Sequence, residues 1–102
     1  MNNQKNKVLP YDPKTTYTGN VLWFSDQRGY GFIETDELKI DGKSASIFAH
    51  FSRINSGENY KTLSKQQKVS FEIAESEKGL MAVNIREFKV IKTNSTVINQ
   101  LT

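Results

Sequence analysis

Arg28-Gly29-Tyr30-Gly31-Phe32-Ile33 constrains this chain more than any other stretch. It sets a cation, two aromatic rings and two glycines in a row. A second aromatic run, Ile47-Phe48-Ala49-His50-Phe51, follows shortly after. At the two-residue period of a strand, Tyr30 and Phe32 point to one face, as do Phe48 and His50. Ile33, Ile47 and Ala49 point to the other. A strand folds with one apolar face, so rings on the second face exceed what a core requires. Exposed rings beside a cation form a stacking platform for unpaired bases.

Further strands follow from the same alternation. Gly19–Phe24 reads as a first strand, Gly29–Glu34 as a second and Ser46–Phe51 as a third. Ser25-Asp26-Gln27 joins the first two with turn chemistry. Thr35–Ala45 is polar, holds Asp41-Gly42, and reads as a long hairpin loop. Ser52–Lys65 is a long connection with room for one helical turn. Val69–Ile73 alternates cleanly as a fourth strand. Glu77-Lys78-Gly79 turns the chain into a fifth strand, Leu80–Ile85, with a continuation through Phe88-Lys89-Val90-Ile91. No stretch carries an apolar face at helical period. The expected fold class is all-β: a small five-stranded antiparallel barrel, closed or partly open. Phe24 and Phe71 take core positions, and simple alternation groups Trp23 with Val21.

With 102 residues the chain makes one small domain. Residues 1–16 hold both prolines and no periodicity, and are expected to form a flexible arm. Residues 17–88 are the domain and 89–102 a C-terminal extension. The net charge of +3 is not spread evenly. Each end carries +2, while residues 17–88 hold nine basic and ten acidic side chains, leaving −1. Such a domain is no general polyanion binder. If it holds nucleic acid, rings must supply much of the affinity, at roughly 1–3 kcal/mol per stacked base.

Several classes are excluded on these grounds. Without cysteine there is no disulfide framework and no thiolate metal site. His50 is the only histidine, so it has no partner for a metal centre. No nucleophile, base and orienter can be assembled, so neither enzyme, cofactor nor small-molecule substrate is expected. Gly42-Lys43-Ser44 resembles the end of a phosphate-binding loop, but Glu37 stands where the earlier glycine belongs. Glu34, Asp36 and Glu37 read as a solvated acidic face. The N-terminus lacks the apolar run of a signal peptide, and no stretch reaches membrane-spanning length, so a cytoplasmic location is expected. The Asn94-Ser95-Thr96 sequon carries no meaning without secretion.

Gly19–Phe24, Arg28–Ile33, Ile47–Phe51, Tyr60-Lys61-Thr62-Leu63, Val69-Ser70-Phe71 and Lys78-Gly79…Ala82–Ile85 together resemble the cold-shock domain family. The likeness covers about residues 17–87 in order. It implies a five-stranded oligonucleotide-binding barrel that takes single-stranded RNA or DNA. Residue by residue, the implied ligand face is Trp23, Arg28, Tyr30, Phe32, Phe48, His50, Phe51 and Tyr60, with Lys78 at a basic contact. Four departures accompany the likeness. Leu22 replaces a lysine that contacts phosphate, and Ser46 replaces an acidic residue. Gly79-Leu80-Met81-Ala82 replaces a Gly-Pro-Gln-Ala segment. The Thr35–Ala45 segment is longer than in the shortest family members.

The expected activity is single-strand binding by stacking, with pyrimidine-rich ligands and a monomeric protein. Melting of weak RNA secondary structure follows from it, which is a chaperone-like action. Two rivals exist. An RNA-recognition motif also uses a basic-Gly-aromatic-Gly-Phe strand, but it needs two helices and places its other aromatic strand before this one. A protein-interaction module would dock a partner chain on the same rings.

Overall fold

The computed structural model describes residues 11–57, 61–77 and 79–88. Five strands form in chain order: β1 (Tyr17–Ser25), β2 (Tyr30–Ile40), β3 (Lys43–His50), β4 (Lys68–Ser76) and β5 (Gly79–Glu87). A 3-10 turn, Phe51–Arg53, follows β3. The strands close into a barrel in the order β1-β2-β3-β5-β4, with β4 returning to β1 through Tyr17↔Phe71 and Gly19↔Val69. All pairings are antiparallel except β3 with β5, which meet in parallel at Phe48↔Met81.

Alternation explains the interior. In β4, Val69, Phe71 and Ile73 are buried while Ser70 and Glu72 lie toward the surface. Val21, Ile33, Ile47 and Ile85 complete the centre of the core. Phe24 is half-buried and packs against it. Burying these side chains stabilises the barrel by roughly 1.5–3 kcal/mol each. Among the described residues one polar side chain, Thr35, is buried with them. Its hydroxyl donates to the Thr18 carbonyl at 2.7 Å and accepts from the Glu37 N–H at 3.1 Å. A hydroxyl satisfied on both sides escapes the cost of an unpaired buried polar group.

The expected Thr35–Ala45 loop is instead a continuation of the hairpin. β2 runs to Ile40, β3 starts at Lys43, and only Asp41-Gly42 turns the chain. Both turn residues have positive φ, 55° and 78°, as a tight two-residue hairpin of this twist demands. Three residues, Asp36-Glu37-Leu38, bulge out of the ladder between Thr35↔Ala45 and Lys39↔Ser44. The bulge buries Leu38 and aims the Glu37 carboxylate at β1. There it accepts from the Thr18 N–H at 2.8 Å and from the Thr18 hydroxyl at 2.7 Å. The segment is polar because backbone pairing, rather than buried side chains, carries most of it.

Tyr11, which the sequence assigns to an arm, belongs to the core at 9% exposure. The segment after it is tied down as well: the Asp12 N–H donates to the Tyr17 hydroxyl at 2.9 Å. Burial first, and the Glu75 carboxylate second, push the Tyr11 phenol up from its ordinary pKa. β5 ends at Glu87, and the expected continuation beyond Phe88 lies outside the described residues.

Candidate nucleic-acid interface

The outer face of β1, β2 and β3 carries a contiguous set of rings. Registry places them side by side: Tyr30 opposite His50, Phe32 opposite Phe48, and Trp23 opposite Phe32. Ring centroids are 5.6 Å apart for Trp23–Phe32, 5.7 Å for Phe32–Phe48, 5.6 Å for Tyr30–Phe48 and 5.8 Å for Trp23–Tyr30. These spacings are those of mutually supporting tilted and edge-on pairs. Phe48 leads on to His50 at 6.4 Å, and His50 to Phe51 at 4.7 Å. Tyr30, Phe32, Phe48 and His50 are half-buried by one another, so one ring surface of the set stays open. Trp23 and Phe51 are the most open, at 42% and 46% exposure.

Trp23 reaches this face through a break in β1. Val21 pairs with Ile33, but Trp23 pairs with Phe32, so Leu22 is an extra residue in the ladder. Two residues of β1 then oppose one of β2, and the side-chain parity flips. Val21 stays in the core while Leu22 and Trp23 both point out. The grouping of Trp23 with Val21 by simple alternation is therefore corrected. Gly31 makes the break possible. A Cβ there would lie 2.0 Å from the Trp23 carbonyl oxygen, so only glycine lets β1 approach so closely.

Phe51 is held over the β1–β2 turn by similar means. Its N–H donates to the Gly29 carbonyl at 2.9 Å. Gly29 has φ 79°, and a Cβ on it would press within 2.8 Å of the Phe51 ring. The turn itself is closed by the Gly29 N–H on the Ser25 carbonyl at 2.7 Å and the Arg28 N–H on the Ser25 hydroxyl at 3.1 Å. A hydrogen bond from the Thr62 hydroxyl to the Asp26 carboxylate ties this turn to the later connection.

His50 is oriented as well as stacked. The Ser52 N–H donates to its Nδ1 at 3.2 Å, and the Ser52 hydroxyl lies 2.9 Å from the same atom. A nitrogen that accepts cannot carry the proton, so the neutral ring bears it on Nε2. The imidazole thus caps the 3-10 turn and presents a donor at its other edge.

Six of the residues read from the sequence, Trp23, Tyr30, Phe32, Phe48, His50 and Phe51, are brought into one set. Arg28 is exposed in the turn that leads into Tyr30, and among the described residues no carboxylate is ion-paired with it. Tyr60 and Lys78 lie outside the described residues. Beyond the rings, Glu34 and Ser46 face each other across β2 and β3, with Asn20 next to Glu34 on β1, so the platform ends on a polar row. On its other flank Met81 of β5 adjoins Phe48, a neighbour that no aromatic pattern could reveal. Among the described residues no cluster of His, Asp or Glu could hold a metal ion.

The model of the 'cold-shock' DNA-binding domain matches residues 17–88. The chain is 44% identical over 68 residues to the cold shock-like protein CspG of Shewanella violacea, covering 67% of this chain and 89% of that protein. It is 45% identical over 67 residues to the cold shock protein CspB of Bacillus caldolyticus, covering 66% of this chain and 91% of that one. Among solved structures, Drosophila Unr CSD456 superposes with a TM-score of 0.54 over 81% of this chain and 29% of its own length. At 20% identity that likeness speaks for the fold alone.

Proposed function

The chain belongs to the cold-shock DNA-binding domain family, a nucleic-acid-binding family, and from that premise we propose that its ring face holds unpaired, pyrimidine-rich single strands of RNA or DNA by stacking. The observation that carries this reading is the set of rings itself. It runs across three strands on the face opposite a hydrophobic core that is complete without it. Rings placed there pack on one another rather than into the core and leave a surface available to flat ligands. Trp23, Tyr30, Phe32, Phe48, His50 and Phe51 stack on bases, Arg28 meets phosphate or stacks, and Tyr60 and Lys78 add to the same interface.

Duplexes hide the faces of their bases, so the domain binds the open form of a nucleic acid. A ligand that takes only the open state pulls the closed one toward it. Weak secondary structure in RNA would melt in this way without nucleotide hydrolysis, the action of an RNA chaperone. The unit responsible is residues 17–88, working as a cytoplasmic monomer, with Tyr11 packed on it.

The rival reading, a partner protein docked on the same rings, predicts a different optical signature. Titration with oligo-U or oligo-dT should quench Trp23 fluorescence saturably as bases stack on the indole. An emission spectrum untouched by either oligonucleotide would favour the protein partner.

A further inference from the structure

Among the described residues, β3 and β5 are registered at one position, Phe48↔Met81, where the strands run parallel. The other seams of the barrel are registered over runs of residues, such as Tyr17–Asn20 against Lys68–Phe71. A seam of one pair has few ladder hydrogen bonds to draw on, so side-chain contact carries much of it. Alternation in β5 fixes where Met81 points. Ala82 beside it is fully buried in the core, so the Met81 side chain lies on the outer face with Phe48. It is half-buried there and lines, with Phe48 and Glu77, an open groove of about 400 Å³. A peroxide, little larger than water, enters such a groove freely.

Sulfur is scarce in this chain. Cysteine is absent, and of the two methionines Met81 alone lies among the described residues. No thiolate competes with it for an oxidant. A thioether is soft and apolar and packs favourably against a ring, whereas its sulfoxide is polar and chiral. The step needs only a peroxide. A lone pair on Sδ attacks one peroxide oxygen, the S–O bond forms and the O–O bond breaks. The proton on the transferred oxygen passes to the departing hydroxide, giving water. Sulfur loses two electrons and the peroxide gains them. The sulfoxide then draws water toward Phe48, the ring that packs against Tyr30 at 5.6 Å and Phe32 at 5.7 Å.

We propose that Met81 is a reversible oxidation site, at which a peroxide converts the thioether to the sulfoxide, loosens the β3–β5 seam and disturbs the ring row beside it. The effect on the seam stands on the fold alone. The effect on binding rests on the single-strand reading of the ring face.

The test treats wild type and Met81→Leu with hydrogen peroxide and follows three readouts: peptide mass, melting temperature and Trp23 quenching by oligo-dT. Leucine keeps the apolar bulk without the sulfur, so untreated Met81→Leu should melt and bind much as untreated wild type does. In treated wild type the peptide holding Met81 should gain about 16 Da, one oxygen atom. The melting temperature should fall by roughly 2–8 °C, and oligo-dT binding should weaken roughly threefold. Methionine sulfoxide reductases for the two epimers should restore both. Treated Met81→Leu should lose neither, although Met1 remains to be oxidised. A Met81 peptide that stays unmodified while Met1 converts overturns the site. Complete oxidation of Met81 with unchanged melting overturns the seam assignment, and equal losses in treated Met81→Leu place the damage elsewhere and overturn the proposal. If untreated wild type fails to quench with oligo-dT, the ring-face reading falls, and the melting shift with its recovery still decides whether Met81 is the site.

Discussion

Two phenylalanines only a strand apart can have opposite duties, decided by which side of the sheet they face. Phe71 is fully buried, whereas Phe32 and Phe48 are half-buried on the outer face. Truncating Phe71 to alanine should therefore cost about 3–5 kcal/mol of stability. Phe32→Ala and Phe48→Ala should each lower stability far less and instead weaken single-strand binding by roughly 1–3 kcal/mol. Thermal melts and oligonucleotide titrations on the three variants separate the two roles, and a Phe32→Ala variant that unfolds beside a mild Phe71→Ala variant would invert them. Parity alone made these assignments readable in the sequence. It did not place Trp23, because alternation counts residues and cannot see the extra one at Leu22. Gly31 stood in the sequence only as one of two glycines in the aromatic run. Its specific partner, the Trp23 carbonyl, follows only from the three-dimensional approach of β1.

Strands announced themselves where a face is buried and stayed hidden where none is. β4 shows an unbroken alternation and was legible over Val69–Ile73, while the far end of the β2–β3 hairpin was read as loop. That end is built from backbone pairing, a positive-φ Asp41-Gly42 turn and the reach of Glu37 to Thr18, none of which leaves an apolar signature. The N-terminal segment escaped for a related reason. A single buried ring, Tyr11, has no period, yet it belongs to the core and the next residue bonds the Tyr17 hydroxyl. Tyr11→Ala should accordingly lower stability by roughly 1–3 kcal/mol, a typical loss for one buried side chain. Chemical denaturation measures this directly, and a variant as stable as wild type would return the segment to the role of an arm. The raised Tyr11 pKa adds a pH signature. Because the folded state holds the phenolic proton more tightly, this contribution is full below the unfolded pKa near 10. It declines as pH rises through the folded value, and Tyr11→Ala should remove that part of the alkaline loss.

At the scale of the whole molecule, the barrel joins a complete hydrophobic interior to one aromatic outer face on a body of nearly balanced charge. The interior fixes the shape, and the exterior is left free to meet bases. The order of motifs along residues 17–88 made the fold and the ring face readable together, since β2 and β3 each carry core residues and rings on alternate sides. What lay beyond reach was which ring a distant strand would adjoin, such as the pairing of Met81 with Phe48. A domain of charge −1 gains little from the phosphate backbone of a duplex. Its affinity must come from base faces that only a single strand exposes. The most direct test is to titrate the protein with a pyrimidine-rich strand and with the stable duplex containing it, at low and at physiological salt. The stacking account predicts tight binding of the single strand, a duplex bound much more weakly, and a preference that persists as salt rises. Equal affinity for the two forms at physiological salt would contradict it.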